Sequence, residues 1–252
     1  MGASAIRLEA LRRRLALMEG RAASDADRFD LGHEAADAWL GGLNRRALHE
    51  IHAASGGDMA SADGFSLGLA ARAAGAGYIA WIVQSMATAE AGLPYGEGLA
   101  DWGLDPGRVL FVRTRDAQAL LAAAEDCLKS GALGAVVMSV WGEPRTLNLT
   151  ATRRLALAAR ESGTVGLLGR TGAGVQAGAA ETRWTIASAP SRPLEAGAPG
   201  RPVLTARLEK SRTGANPGQW MMEWRSDARG FGEIETVSGG LVPLAGQRPA
   251  AA

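Results

Sequence analysis

The sequence contains one cysteine, Cys127, and two lysines, Lys129 and Lys210. A single thiol excludes an intrachain disulfide and any zinc site built from cysteines. The scarcity of lysine bears on nucleotide chemistry. A Walker A loop, G-x-x-x-x-G-K-[ST], needs a Lys for the β and γ phosphates and a Ser/Thr hydroxyl for Mg²⁺. Where such a loop would join a strand to a helix, residues 51–69 read IHAASGGDMASADGFSLGL, and Gly64 is followed by Phe65 and Ser66. No apolar run approaches the ~18 residues of a membrane span, and Arg12, Arg13 and Arg14 precede no signal-like apolar segment. The chain reads as cytoplasmic, with no membrane partner. Net charge is +1, so no whole-molecule field argues for nucleic acid, and any basic surface must be local.

What is present suits a globular α/β protein: 252 residues, 47% hydrophobic, suffice for one substantial core. Residues 5–19, AIRLEALRRRLALME, have the spacing of an amphipathic helix, and a polar linker follows. We therefore expect an N-terminal helical arm over 1–28, a core domain over 29–225 and a flexible tail over 226–252. Within the core, strand-length apolar runs alternate with helical segments, the pattern of a mostly parallel sheet flanked by helices. Strands are expected at 47–52, 78–85, 109–112, 135–139 and 164–169, and helices at 64–74, about 114–130 and 149–162. Thr114 or Asp116 would cap the second helix, Asn148 or Thr150 the third, and Gly163 would end the third. The small-residue stretch TGAGVQAGAAE reads as a mobile loop. Strands at 183–187, 203–210 and 219–224 follow, the last two joined through TGANPG as an antiparallel hairpin.

Several residues invite chemistry and fail its requirements. His49 and His52 are three apart on an expected strand, whereas a zincin needs i and i+4 on a helix with a Glu between. Strand alternation puts His49 and Ile51 on one face, Glu50 and His52 on the other, so both imidazoles are expected to make structural hydrogen bonds. Cys127 follows Leu120 and Ala124 at helical spacing, an apolar-face position where a thiol is inert. No G-x-S-x-G elbow exists. For nucleotide hydrolysis, the strand AVVMS ends in Ser139 where a metal-binding Asp is needed, and YIAWIVQSM ends in Gln84, Ser85 and Met86 where a water-activating Glu is needed. Gly64, Phe65, Ser66, Met86 and Ser139 thus outline a degenerate nucleotide site, with no catalytic residue, cofactor or metal. In the hairpin, Arg207, Lys210 and Arg212 lie near Trp220 and Trp224. Such a stripe could bind a partner or single-stranded DNA by charge and stacking; the plainer alternative is that the tryptophans pack on the sheet and the arginines are solvated.

The order of these pieces resembles the RecA recombinase core. ALHEI stands where the strand before the phosphate loop would be, IAWIVQS where the strand of the catalytic Glu would be, and the run from LADWGLDPGRVLFV to AVVMS where RecA leads into its Walker B strand. The likeness spans residues 29–224. Within that group the chain is most similar to the SulA/ImuA group of inducible-mutagenesis and division-inhibitor proteins, through GGLNRRALHEIH, ADGFSLGLAARAAG, LNLTATRRLALAARESGT, ETRWTI and LEKSRTGANPGQWMMEW.

The resemblance implies a RecA-like α/β fold and a cytoplasmic, DNA-damage-induced role in bacterial translesion synthesis under the SOS response. The chain would be a non-enzymatic adaptor between ImuB, an inactive Y-family-like polymerase, and an error-prone polymerase α-subunit or RecA. It also implies that the N-terminal helix could pack on a second copy. The positions of RecA's DNA-binding loops hold only GEPRTLNL and TGAGVQAGAAET, the latter without a basic residue, which weighs against filament-type DNA binding. Two alternatives stand beside this one: a SulA-like inhibitor that binds a tubulin-like GTPase, and a weak ATPase or DNA-dependent protein in which Arg45 or Arg46 supplies the lost cation.

Overall fold

The computed structural model describes residues 27–234 apart from 93, 195–197 and 199. The helix expected at 5–19 and most of the expected tail lie outside the described residues.

The chain opens with β1 (Arg28–Phe29), α1 (Glu34–Leu40) and β2 (Leu43–Asn44), β1 and β2 pairing as a small antiparallel ribbon. The body follows: β3 (Leu48–Ala53), α2 (Met59–Ala74), β4 (Tyr78–Gln84), α3 (Ser85–Ala91), α4 (Gly96–Asp101), β5 (Val109–Thr114), α5 (Ala117–Lys129), β6 (Leu133–Trp141), α6 (Leu149–Ser162), β7 (Val165–Thr171), β8 (Thr182–Ala189), β9 (Val203–Ser211), β10 (Gly218–Arg225) and β11 (Gly230–Gly232). Among the described residues these strands make a nine-stranded sheet in the order β11-β10-β9-β8-β3-β7-β6-β4-β5. The six strands from β8 to β5 are mutually parallel, and β9, β10 and β11 extend the sheet antiparallel. This order differs from both common doubly wound arrangements, 3-2-1-4-5-6 and 2-1-3-4-5.

The central strands are near-continuous apolar runs because both faces of the sheet are covered. Every residue of β7 is buried. On one face lies α2, which packs Phe65, Leu69 and Ala70 against Ile51, Val137, Leu167, Trp184 and Ile186. The other face carries α5 and α6, whose Leu120, Ala124, Leu128, Leu155 and Ala158 cover Leu48, Ile82, Val136, Met138 and Leu168. Local chemistry sets the ends of these helices: the Asp116 side chain accepts from Ala119 N–H, Asn148 accepts from Thr150 and Ala151 N–H, and Gly163 closes α6 in the left-handed region. Cys127 is only partly buried on α5; burial and then the neighbouring Asp126 raise its thiol pKa, in line with an inert role.

Two expectations need correction. The first concerns the end of the domain: the core does not stop at 225, because β11 pairs with β10 and buries Phe231 completely. Phe231 lies 4.9 Å from Trp224 and 5.2 Å from Phe65, and Trp224 stacks on Trp102 at 5.1 Å. This aromatic seam ties the C-terminal strands to α2. The second concerns the loop at 172–181, expected to be mobile. It has no regular structure, yet Arg183 Nη2 donates to Gln176 O (2.6 Å), Ala179 N donates to Thr152 Oγ1 (3.2 Å), and Arg212 donates to Gly178 O and Ala180 O (both 3.0 Å).

The seam depends on Gly68. A Cβ built there would sit 2.6 Å from Phe231 Cζ and 2.8 Å from Trp224 Cζ3. Gly68→Ala sets a helix-propensity gain of about 1 kcal/mol against an overpacking cost of about 1–3 kcal/mol. The rings are locked by one another, so the clash dominates. Urea unfolding is expected to show a loss of about 1–2 kcal/mol; a stabilised variant would mean that the rings can shift freely.

Candidate functional site

In open α/β sheets, ligands bind beyond the carboxyl ends of the parallel strands. Here those ends are Ala53, Gln84, Thr114, Trp141, Thr171 and Ala189. The first leads into the segment Ala54-Ser55-Gly56-Gly57-Asp58 and then α2. That placement corrects the expected start of the helix, which is Met59 and not Gly64. Gly64, Phe65 and Ser66 lie inside α2, well past its first turn and all buried, with Ser66 Oγ donating back to Ala62 O at 2.8 Å. The helix starts at Met59 because the chain-reversing residues Gly56 and Gly57 come earlier, and Met-Ala-Ser-Ala-Asp already accepts helical geometry. The true connecting loop is closed on itself: Ser55 Oγ donates to Asp58 Oδ2 (2.6 Å), and Asp58 Oδ1 accepts from both N and Oγ of Ser188 on β8 (2.8 Å each). The hydrogen bond from Ser55, then those from Ser188, hold the Asp58 carboxyl below its usual range, so a negative charge occupies the mouth of the loop.

Of the other two positions expected in the degenerate nucleotide site, Ser139 is engaged by internal partners and Met86 is not. Ser139 does not end its strand; β6 continues to Trp141. Its hydroxyl donates to Asp63 Oδ1 (2.8 Å) and accepts from Trp81 Nε1 (3.0 Å). Gln84 Oε1 accepts from Trp141 N at 3.2 Å, and Met86 lies in the first turn of α3, exposed.

The sequence reading missed Asp63, on α2 beside a cleft of about 350 Å³ walled by Leu67, Trp81, Val83, Leu99 and Trp102. Burial raises its carboxyl to about 6, with the Ser139 hydrogen bond opposing part of that rise. A partner 76 residues away along the chain leaves no local pattern to read.

A second cluster lies on the opposite face. Glu50 of β3 receives Arg183 Nε from β8 at 2.8 Å and Arg170 Nη1 from β7 at 3.3 Å, while His52 Nε2 stands 3.2 Å away without hydrogen-bond alignment. All four residues are buried. Burial alone would raise the Glu50 carboxyl; His52 and then Arg183 outweigh it and hold the group at about 2. His49, on the α2 face, contacts Thr182 Oγ1 (2.8 Å) and Asn44 O (2.9 Å), a structural role as expected. Among the described residues no three His, Cys, Asp or Glu side chains gather as a metal ion would require.

The hairpin residues do not form one stripe. Trp224 is buried, Trp220 packs at 6.1 Å from Trp184, and both face α2, because their cross-strand neighbours include the buried Ala206. Arg207 projects from the other face and pairs with Glu209 at 2.6 Å. Arg212 is spent on the 172–181 loop, and Lys210 is exposed at the strand end. Strand alternation turns Arg207 away from the rings.

No protein-family model matches the chain. It is similar to Protein ImuA of Caulobacter vibrioides. In strains NA1000 / CB15N and ATCC 19089 / CIP 103742 / CB 15 alike, the match is 33% identical over 156 residues, covering 57% of this chain and 62% of the relative. The chain thus spans less than two thirds of the length of the curated relatives it matches. Among the described residues no helix is long and apolar enough to cross a membrane.

Removing the Glu50 charge leaves two buried guanidinium groups without a counter-ion, which typically costs about 3–5 kcal/mol. Glu50→Gln is expected to lower the unfolding free energy measured by urea titration by that amount; a change under about 1 kcal/mol would mean that water reaches the cluster. Asp63 has the opposite sign. Its pKa is raised on folding from 3.8 to about 6, so its stabilising contribution is full below pH 4 and lost as pH rises through 6. Asp63→Asn is expected to flatten the stability profile between pH 4 and 6.5 and to gain up to about 3 kcal/mol at pH 7, at about 1.4 kcal/mol per pKa unit. An unchanged profile would place the titration elsewhere.

Proposed function

We propose that the protein is a RecA-like, non-catalytic adaptor of bacterial DNA-damage-induced mutagenesis, acting in the cytoplasm within a translesion-synthesis complex. The observation that carries this reading is the similarity to Protein ImuA, 33% identical over 156 residues. It would bridge an ImuB-type polymerase-like protein and an error-prone polymerase α-subunit or RecA. The RecA-like assignment is supported by the central β3, which leads through a loop into α2, by the parallel strands on either side of it, and by the antiparallel hairpin that follows.

The non-catalytic part of the proposal has physical support. Phosphoryl transfer is catalysed almost entirely by positioning and by charge opposed to the phosphates. In this loop the side chain at the mouth is an ionised Asp58, and its hydrogen-bond donors are two serines that it already occupies. Ser139 and Gln84 are likewise committed to internal partners. A phosphate entering here would meet the negative charge of Asp58.

Affinity capture of a purified ImuB-type protein by the full chain is the direct test. Retention at micromolar concentration is expected, and absence of binding would refute the adaptor role. Radiolabelled ATP turnover should equal background with and without single-stranded DNA; turnover above background that is lost in an Asp58→Ala or Ser139→Ala variant would refute the non-catalytic reading.

A further inference from the structure

The cleft beside Asp63 has features that neither the core nor the loop explains. It is a 350 Å³ hollow between α2, the end of β4, and α3 with α4. Its walls are apolar and aromatic, and small residues, among them Ala60, Gly64, Ala87 and Gly98, hold it open. Gly64 lets the Trp102 ring approach α2, since a Cβ there would lie 3.0 Å from its Cη2. One bulky side chain lines it at the outside, Tyr95, 67% exposed.

Its polarity is one-sided. Among the described residues lining it, Asp63 is the sole carboxylate and there is no Lys, Arg or His. Of the Asp63 carboxylate only Oδ1 receives a hydrogen bond, from Ser139. The other oxygen takes none among the described residues, although a carboxylate next to an apolar cleft gains most from a charged donor. Phosphates and other anions are excluded on charge. An occupant that satisfies both features has a large flat apolar group for the hollow and a cation beside it. Binding hot spots are built in this way, from an aromatic anchor in a desolvated pocket with an adjacent paired charge.

We propose that this cleft is the docking pocket for a segment of a partner protein that presents an aromatic side chain next to a basic one, the ring entering between Leu67, Trp81 and Trp102 and the cation pairing with Asp63. This rests on the adaptor reading and names the surface through which it would act. The hollow accommodates one such ring with its neighbouring backbone, so the contact is an anchor point.

Two measurements on the full chain test it. In the first, tryptamine, which carries an indole and an ammonium, is titrated against isotope-labelled protein by NMR in parallel with indole-3-acetate, which has the same ring and the opposite charge. Tryptamine should bind at about millimolar affinity with shifts at Trp81 and Trp102, at least tenfold more tightly than indole-3-acetate, and should weaken about tenfold in Asp63→Asn. Equal binding of the two probes, or no effect of Asp63→Asn, overturns the pairing. In the second, Ala91→Trp places a bulky side chain in the cleft from an exposed position on α3, with folding checked by the unfolding midpoint. Capture of the ImuB-type protein should fall at least tenfold. Undiminished capture by Ala91→Trp alongside binding by the unmodified chain overturns the docking pocket and leaves the adaptor reading standing. Failure of the unmodified chain to capture the partner overturns the adaptor reading itself. Loss of tryptamine binding in Ala91→Trp with capture intact reassigns the cleft to a free aromatic amine.

Discussion

The constraint on which the arrangement depends is the burial of Glu50 in the middle of the sheet. A carboxylate removed from water must be met by positive charge and hydrogen bonds, or it will protonate or unfold the site. Both neighbouring strands answer it, β7 with Arg170 and β8 with Arg183. Because β3 pairs in register with both, Glu50 opposite Leu168 on one side and Arg183 on the other, a slip of either strand would separate the charges. Parallel strands packed by apolar side chains alone could slide between similar registers. One ion cluster makes the register specific.

That cluster also organises what covers it. Arg183 extends to Gln176 O and Arg170 comes within 3.5 Å of Gln176 Oε1, so the loop after β7 is drawn over the same charges that lock the strands. Arg212 of the hairpin then holds Gly178 and Ala180 from the other side. A segment of glycines and alanines, with no side chains able to build a core, is thus ordered by its backbone carbonyls. On the opposite face order comes from ring packing, in which Phe65, Trp184, Trp224 and Phe231 close around Gly68. Both faces are packed by apolar side chains, and the Glu50 cluster adds charge pairing to one of them.

The apolar runs of β4, β6 and β7 and the caps at Asp116, Asn148 and Gly163 were legible in the sequence, because each is written in a few consecutive residues. So was the division of β3 into a face with His49 and Ile51 and a face with Glu50 and His52. The start of α2 was not: the Gly-Gly turn lies at 56–57, but the apolar helical pattern becomes obvious only from Phe65, so the helix reads as beginning five residues late. β11 was missed because three residues, Gly-Phe-Gly, carry no periodicity. The Asp63–Ser139 and Glu50–Arg183 pairs join residues 76 and 133 apart. A single sequence holds nothing local that marks them, and a lone Asp in a helix reads as solvated.

The same geometry bears on whether an arginine could replace the missing lysine in a nucleotide site. Cations are not scarce near the strand ends, but they are committed. Arg45 donates to Ala73 O and Arg46 lies 4.0 Å from Asp27, both before β3 and away from the loop. Arg170 lies at the carboxyl end of β7 and Arg183 at the amino end of β8, and both face Glu50 on the side of the sheet opposite α2. Freeing either would strand Glu50 at a cost of about 3–5 kcal/mol, comparable to the several kcal/mol that a positioned charge contributes to a transition state. The exchange would bring no net gain. In this fold the arginines near β3 support structure, and the Asp63 carboxylate beside the cleft is left with Ser139 as its hydrogen-bond donor.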